Sequence, residues 1–181
     1  MFTIDLNVAP KYRFNETSHF FKKEVHVVID KYLSLVPDFL LFLVDGIGKI
    51  IYYIQPEYHE ELEGMAYTLE VDTYLIFFLQ YVYEFSAFCT SDVVKLPDGT
   101  LMLDRDLDFA FAEYMRPITY IAKFTRGDEV LFEAPMFAAM NGVLTATRRG
   151  SYAVSLNQRK PSWRTNPLEL VKNFAMILAA Y

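Results

Sequence analysis

The sequence predicts an α+β fold in which a helical region precedes a set of antiparallel hairpins. Before residue 88, apolar residues recur at the three- and four-residue spacing of helices that bury one face. After it, short strand-like segments alternate with turn sequences that contain glycine. Hydrophobic residues make up 53% of the chain and aromatic residues 17%, which is enough for a substantial core. The change of character falls at Cys89, the only cysteine in the sequence.

Four helices are expected in the first half of the chain. The first has an apolar face formed by residues such as Phe21, Val25 and Ile29. Pro56 and the acidic residues that follow it are typical of a helix N-terminus. The expected ranges are 18–36, 38–54, 56–70 and 72–86, and a last helix is expected at 167–181.

Three hairpins are expected in the second half. The turns are Pro97-Asp98-Gly99, Arg126-Gly127-Asp128 and Arg149-Gly150, all of which contain residues that favour tight turns. The strand-like segments are 90–96 with 100–106, 117–124 with 129–134, and two that lie within 142–157.

The register of the first hairpin suggests a role for the lone thiol. If Asp98 and Gly99 form a two-residue loop, Cys89 lies opposite Asp108. A carboxylate that faces a thiol across a hairpin is an arrangement that a structural core rarely needs. The structural alternative is that Cys89 is a small buried hydrophobic residue, as most lone cysteines are.

Arg105 is placed less favourably by the same register. It falls opposite Asp92, on the other face from Cys89, because side chains alternate along a strand. A bulge or a strand end between residues 105 and 108 would be needed to bring it to the thiol. The structural alternative is a surface salt bridge to Asp92 or Asp104.

Composition and charge exclude several classes of function. The formal net charge is −6 and the basic residues are scattered, which argues against a nucleic-acid partner. One cysteine and three histidines without metal-ligand spacing predict no metal site and no cofactor. The apolar stretches 39–54 and 73–83 are too short or too interrupted for a transmembrane span. The first ten residues lack the pattern of a signal peptide.

The segment CTSDVV…PDGTLMLDRDLDF, residues 89–109, resembles the start of the β-chain in the family of acid ceramidase and N-acylethanolamine acid amidase. The shared pattern is Cys-Thr-Ser, a turn, and then Arg-x-x-Asp followed by an aromatic residue. FTIDLNVAPKYRF, PEYHEELEGMA and FEAPMF…SLNQR are similar to further segments of that family, in the same order. The resemblance assigns 1–88 to a helical region like the family's α-chain and 89–181 to part of the catalytic β-chain.

The resemblance implies an N-terminal-nucleophile cysteine hydrolase. Cys89 would be the nucleophile and the site of self-cleavage, because breaking the Phe88–Cys89 bond frees an α-amine that can act as its base. Arg105 would hold the thiolate and the substrate. Asp108 would orient the amine, and the side-chain amide of Asn157 would help to form the oxyanion site.

The resemblance also implies an N-terminal-nucleophile αββα sandwich, of which this chain would hold only part. The family's later asparagine and arginine have no counterpart before Tyr181, and Gln158 stands where glutamate is usual. A partial sandwich leaves an open sheet edge and an uncovered apolar face. We therefore expect a protein partner or a further chain segment to complete it.

Two functions are expected from these observations. The first is an amidohydrolase that cleaves N-acyl sphingoid or N-acylethanolamine lipids through an acyl-thioester. The alternative is a truncated, uncleaved, non-catalytic ceramidase-like subunit of a larger assembly. The resemblance implies a lysosomal location for the enzyme, although the chain shows no targeting signal, and the alternative fits an assembly at an organellar membrane.

Overall fold

The computed structural model describes residues 1–34, 55–80, 87–109 and 112–157, with only the backbone of Ala87, Phe88, Asp108 and Phe109. The fold is α+β with antiparallel hairpins, as predicted. The helices in these ranges are α1 (Asn15–Phe20), α2 (Lys22–Leu33), α3 (Pro56–Leu69), α4 (Thr73–Gln80) and α5 (Ala112–Met115). The strands are β1 (Phe2–Asp5), β2 (Ala87–Lys95), β3 (Leu101–Phe109), β4 (Thr119–Arg126), β5 (Glu129–Phe137), β6 (Thr145–Arg148) and β7 (Tyr152–Ser155).

The first predicted helix is two helices, because the chain breaks at Phe21. The backbone of Phe21 is not helical, with φ −98° and ψ 13°, and its N–H donates to the carbonyl of Thr17 at 3.0 Å. The predicted apolar face is correct, since Phe21, Val25 and Ile29 are all buried. Apolar periodicity continues through the break, so it gave no sign of it.

The third and fourth predicted helices are α3 and α4. Pro56 lies in the first turn of α3, and Glu70 ends that helix in the left-handed conformation with φ 59° and ψ 45°. α4 begins after Asp72, as predicted. The predicted helices at 38–54 and 167–181 lie outside the described residues, as does 81–86.

The larger sheet has five strands in the order β1-β4-β5-β6-β7. The β4–β5 and β6–β7 hairpins turn at the predicted sequences. Gly127 takes the first position of a two-residue loop with φ 61°, which a type II′ turn requires. β1 pairs in parallel with β4 and was not predicted, because four residues that pair far along the chain leave little local pattern.

One hydrophobic cluster joins the helices to a single face of this sheet. Along β4 the residues alternate, so that Ala122 is buried while its neighbour Ile121 is exposed. Buried members of the cluster include Val28 of α2, Leu62 of α3, Phe77 of α4 and Ala134 of β5. The helices therefore cover one face of the sheet in the described part of the chain.

A glycine allows α3 to approach the N-terminal segment closely. Gly64 packs on the 3-10 turn Pro10–Tyr12, and a Cβ at this position would lie 1.8 Å from the backbone oxygen of Lys11. A backbone atom cannot move aside as a flexible side chain can. This contact therefore requires glycine.

A polar network fixes the N-terminal segment to α3, α4 and the loop before β6. Nη1 of Arg13 donates to Glu61 at 2.8 Å, and the other carboxylate oxygen of Glu61 accepts from Nδ2 of Asn141 at 2.8 Å. The backbone N–H of Asn141 donates to Gln80 at 3.1 Å, and Gln80 donates to the carbonyl of Ala139 at 2.8 Å. Burial raises the pKa of the Glu61 carboxyl, although hydrogen bonds from Arg13 and Asn141 oppose this shift.

Candidate active site

β2 and β3 form a separate two-stranded antiparallel sheet with a three-residue loop. The backbone N–H of Leu96 donates to the carbonyl of Thr100 at 2.8 Å, which closes the loop over Pro97, Asp98 and Gly99. Gly99 has φ 86°, and its N–H donates to the carbonyl of Leu96 at 2.9 Å. A left-handed residue at the third position is typical of three-residue hairpin loops.

The predicted pairing of Cys89 with Asp108 is wrong. Cys89 lies opposite Leu107, and Asp108 lies opposite Phe88. The prediction assumed two loop residues, and the third moves every pair of the hairpin by one position. Asp108 is therefore a candidate site residue by family resemblance alone.

The same shift brings Arg105 to the face of the hairpin that carries Cys89. Arg105 lies opposite Ser91, and Asp92 lies opposite Asp104. Because side chains alternate along each strand, Cys89, Ser91 and Arg105 share one face. The predicted placement of Arg105 opposite Asp92, on the other face, is therefore wrong, and no bulge is needed to bring it to the thiol.

The guanidinium of Arg105 contacts the thiol directly. Its Nη2 donates to Sγ of Cys89 at 3.3 Å, and both residues are half-buried. A guanidinium keeps its charge at any pH at which proteins fold and presents five N–H donors in one plane. It can therefore hold a thiolate through a charge-assisted hydrogen bond.

Other donors of Arg105 hold it against the β6–β7 hairpin. Nη1 donates to the carbonyl of Leu144 and to Oγ1 of Thr145, and Nη2 also donates to the carbonyl of Leu156. The backbone N–H of Leu156 in turn donates to the carbonyl of Leu144 at 2.8 Å. The two sheets therefore meet at this guanidinium.

Asn157 follows β7 and lies beside Ser91. Oγ of Ser91 donates to Oδ1 of Asn157 at 2.9 Å, and Oγ of Ser155 donates to Oγ of Ser91 at 3.0 Å. The residue before Asn157 is held by Arg105. The structure therefore brings Cys89, Arg105 and Asn157 to the same end of the β6–β7 hairpin.

Three polar residues of this site, Ser91, Thr145 and Ser155, were not predicted from the sequence. Ser91 lies two residues after Cys89, and strand alternation alone would have placed both on one face. Thr145 lies opposite Ser155 at the open end of the β6–β7 hairpin. No local pattern marks Thr145, because its contact with Arg105 depends on how the two sheets meet.

The described residues contain no group of three or more His, Cys, Asp or Glu side chains placed to hold a metal ion. Within the same ranges, no helix has the length and apolar character needed to cross a membrane. What the site does offer is a thiol, a fixed positive charge and a side-chain amide. This set of groups suits nucleophilic attack on a carbonyl carbon, in which a thiolate is consumed and an oxyanion forms.

Proteins similar to this chain include acid ceramidases and N-acylethanolamine-hydrolyzing acid amidases. The chain is 27% identical to acid ceramidase of Bos taurus over 182 residues, which cover 87% of this chain and 45% of that protein. It is 30% identical to an N-acylethanolamine-hydrolyzing acid amidase of Caenorhabditis elegans over 168 residues, which cover 87% of this chain and 47% of that protein. The corresponding protein of Oryctolagus cuniculus is 26% identical over 165 residues. The resemblance to the acid ceramidase family is confirmed.

The chain spans slightly less than half the length of these acid ceramidase-like relatives. No family model matches it. The likeness is thus to proteins named as ceramidases and amidases. The roles of Cys89, Arg105, Asp108 and Asn157 stay predictions, because likeness in sequence does not show what a side chain does.

Proposed function

We propose that this chain carries the nucleophile of a lipid-amide hydrolase of the acid ceramidase type. The observation that carries the proposal is the 3.3 Å contact between Nη2 of Arg105 and Sγ of Cys89. Cys89 also packs against the hydrophobic cluster, but a cysteine that only fills space has no need of a charged donor. The likeness to proteins named for ceramide and N-acylethanolamine hydrolysis supplies the substrate class, an amide of a fatty acid with a lipid amine.

The proposed enzyme first cleaves its own Phe88–Cys89 bond. The thiol of Cys89 attacks the carbonyl carbon of Phe88, and the peptide bond is exchanged for a thioester within the chain. Water then hydrolyses this thioester, which leaves a carboxylate on Phe88 and a free α-amine on Cys89. An α-amine titrates close to neutral pH, so it can accept the proton of the neighbouring thiol.

In turnover, the thiolate of Cys89 attacks the carbonyl carbon of the substrate amide. The oxyanion of the tetrahedral intermediate accepts a hydrogen bond from the side-chain amide of Asn157. Its collapse breaks the C–N bond, and the leaving amine takes the proton that the α-amine had received from the thiol. Water, deprotonated by the same α-amine, then attacks the acyl-thioester and releases the fatty acid.

The charged groups have separate tasks in this scheme. Arg105 holds the sulfur as a thiolate before attack and after release of the fatty acid. Asp108 orients the α-amine, a role that rests on family resemblance. Asn157 supplies a donor that strengthens as charge develops on the oxygen, and loss of one such donor costs about 10²–10³-fold in kcat.

The test is thiol-dependent hydrolysis by the full chain, measured with an N-acyl sphingoid base and an N-acylethanolamine. Intact mass is measured on the same samples. We expect a split at Phe88–Cys89 and turnover of at least one substrate, and we expect Cys89→Ala to abolish both. Ser151→Ala removes an exposed hydroxyl in the β6–β7 turn and is the matched control, which keeps both. Turnover that persists in Cys89→Ala contradicts the proposal.

A second candidate is a non-catalytic subunit of a larger assembly. It is favoured by the exposed apolar side chains of the β2–β3 hairpin, among which Val93 is 68% and Leu101 70% exposed. On this proposal another protein covers the hairpin and the chain stays uncut. A natural protein with a single intact mass and no thiol-dependent hydrolysis would support this candidate over the enzyme.

A further inference from the structure

We infer that Ser91 is a positioning residue, which fixes the orientation of the Asn157 side-chain amide so that its nitrogen serves the oxyanion site. This inference rests on the proposed function, because only an acyl-transfer reaction requires such a donor. The observation is the hydrogen bond from Oγ of Ser91 to Oδ1 of Asn157, at 2.9 Å.

The chemistry of the amide explains why orientation matters. An asparagine side chain presents an acceptor oxygen on one side and an NH₂ donor on the other, and its last torsion has broad minima. An oxyanion is stabilised only by the NH₂ side. Because Ser91 occupies the oxygen of Asn157, the amide nitrogen is left for another partner. Among the described residues, that nitrogen donates no hydrogen bond.

The direction of the hydrogen bond is set by Ser155. A serine hydroxyl has one hydrogen to donate, and Oγ of Ser91 accepts from Oγ of Ser155 at 3.0 Å. The hydrogen of Ser91 is then directed to Asn157. Ser155 in turn lies opposite Thr145, whose hydroxyl accepts from Arg105. Ser155 and the residue that accepts from Arg105 are therefore direct neighbours across the β6–β7 hairpin.

The position of Ser91 makes this link short and stiff. Ser91 lies two residues after Cys89 on the same strand face, directly opposite Arg105. The nucleophile and the group that orients the oxyanion donor are therefore carried by one strand. A displacement of β2 relative to β7 would therefore move the sulfur and disturb the Ser91–Asn157 hydrogen bond at the same time.

The test compares Ser91→Ala and Ser91→Thr in the full chain, with steady-state kinetics on the amide substrate that the wild type hydrolyses. Ser91→Ala is expected to lower kcat about tenfold, the cost of one hydrogen bond, with KM unchanged. The rate of Cys89 alkylation by iodoacetamide is expected to stay the same, because alkylation forms no oxyanion. Ser91→Thr keeps the hydroxyl and is expected to restore kcat. Ser151→Ala is the control and is expected to leave all three readings unchanged.

The outcomes separate this inference from the function on which it rests. If Ser91→Ala keeps its kcat while Cys89→Ala is inactive, the inference is overturned and the hydrolase proposal stands. If Ser91→Ala loses alkylation rate and melting temperature together with kcat, or if Ser91→Thr fails to restore kcat, Ser91 is only structural and the inference is overturned. A wild type without thiol-dependent turnover overturns both.

Discussion

The guanidinium of Arg105 contacts both the Cys89 thiol and the β6–β7 hairpin, and it is a single rigid group. Lysine at this position keeps the charge but lacks the planar fork, so it cannot reach the Cys89 sulfur and the acceptors of the β6–β7 hairpin together. We expect Arg105→Lys to lower thiol-dependent hydrolysis by at least about tenfold, since each lost hydrogen bond costs about 1 kcal/mol or more. The melting temperature is expected to fall as well. Steady-state kinetics and thermal unfolding measure the two effects.

The matched control for this change is Arg148→Lys. Arg148 pairs with Glu129 at 3.1 Å on the surface, where the two side chains are 44% and 62% exposed. Exposed ion pairs contribute little to stability. We therefore expect Arg148→Lys to change the free energy of unfolding by less than about 0.5 kcal/mol. Equal effects of the two substitutions would mean that Arg105 contributes only charge.

Glu61 makes stability depend on pH in an unusual direction for a carboxyl group. Burial raises its pKa in the folded chain above the ordinary value of 4.5. Because the folded state then binds the proton more tightly than the unfolded state, this contribution to stability is complete below pH 4.5. It is lost as the pH rises through the raised pKa. We expect the free energy of unfolding to decrease over that interval, as measured by urea denaturation at a series of pH values.

Glu61→Gln isolates this contribution. Glutamine keeps one oxygen that can accept from Arg13, carries an NH₂ group in place of the oxygen that accepts from Asn141, and does not titrate. The variant is expected to lose less stability than the wild type as the pH rises above 4.5. Parallel pH profiles for the two proteins would show that Glu61 is not responsible.

At the scale of single residues, the candidate site residues could be predicted from the sequence more reliably than the contacts between them. Cys89, Arg105 and Asn157 were named from residue types and family resemblance, and the structure brings them to one end of a hairpin. The approach of Arg105 to Cys89 was not predicted, because Asp98-Gly99 is compatible with two- and three-residue loops. Ser91 was available from strand alternation, whereas Thr145 depends on contact between sheets.

Among the helices, α3 depends on one small residue for its position. Gly64→Ala would place a methyl group 1.8 Å from the backbone oxygen of Lys11. Alanine has the better helix propensity by about 1 kcal/mol, yet overpacking against backbone costs about 1–3 kcal/mol or more. We expect a net loss of stability, measured as a lower urea midpoint with an unchanged m-value.

Tyr67→Ala on the same helix is the comparison for Gly64→Ala. Tyr67 is 87% exposed, so its replacement removes little buried surface. We expect a change of less than about 0.5 kcal/mol, as for most surface substitutions. If Gly64→Ala is as stable as Tyr67→Ala, the backbone around Lys11 moves to accommodate the added methyl group, and the prediction is wrong.

Elements with strong local signals were predicted well. Pro56 and Asp72 mark the starts of α3 and α4, and Gly127 and Gly150 mark the turns of two hairpins. The errors are of another kind. The break at Phe21 lies inside a continuous apolar pattern, and the partner strand of β1 is more than a hundred residues away along the chain. Neither feature can therefore be predicted from neighbouring residues.

At the scale of the whole molecule, the β2–β3 hairpin carries exposed apolar side chains on the face of Cys89. Val93 and Leu101 belong to this face by register, and a two-stranded hairpin is only marginally stable alone. We expect the full chain to self-associate at micromolar concentration, and we expect Val93→Thr with Leu101→Thr to reduce that association. Threonine keeps β-propensity, so the strands are retained. Light scattering coupled to size-exclusion chromatography measures the change.

The control is Lys95→Thr. It changes an exposed residue of β2, the strand that carries Val93, without replacing an apolar side chain. It is expected to leave association unchanged. A wild-type chain that stays monomeric and unfolds cooperatively would contradict the prediction of association, and with it the expectation that another chain or segment covers this hairpin.

The three-residue loop of the β2–β3 hairpin also limits which insertions and deletions this segment can accept during evolution. Cys89 and Arg105 are 16 positions apart, and they share a face only because the number of residues between the strands has the right parity. If the loop keeps three residues, insertion or deletion of one residue beside it shifts the strands by one position and turns the arginine away from the sulfur, although both residues stay in the sequence. A change of two residues would preserve their encounter. Relatives that keep both the pair and a three-residue loop should therefore differ in the length of this hairpin by even numbers of residues.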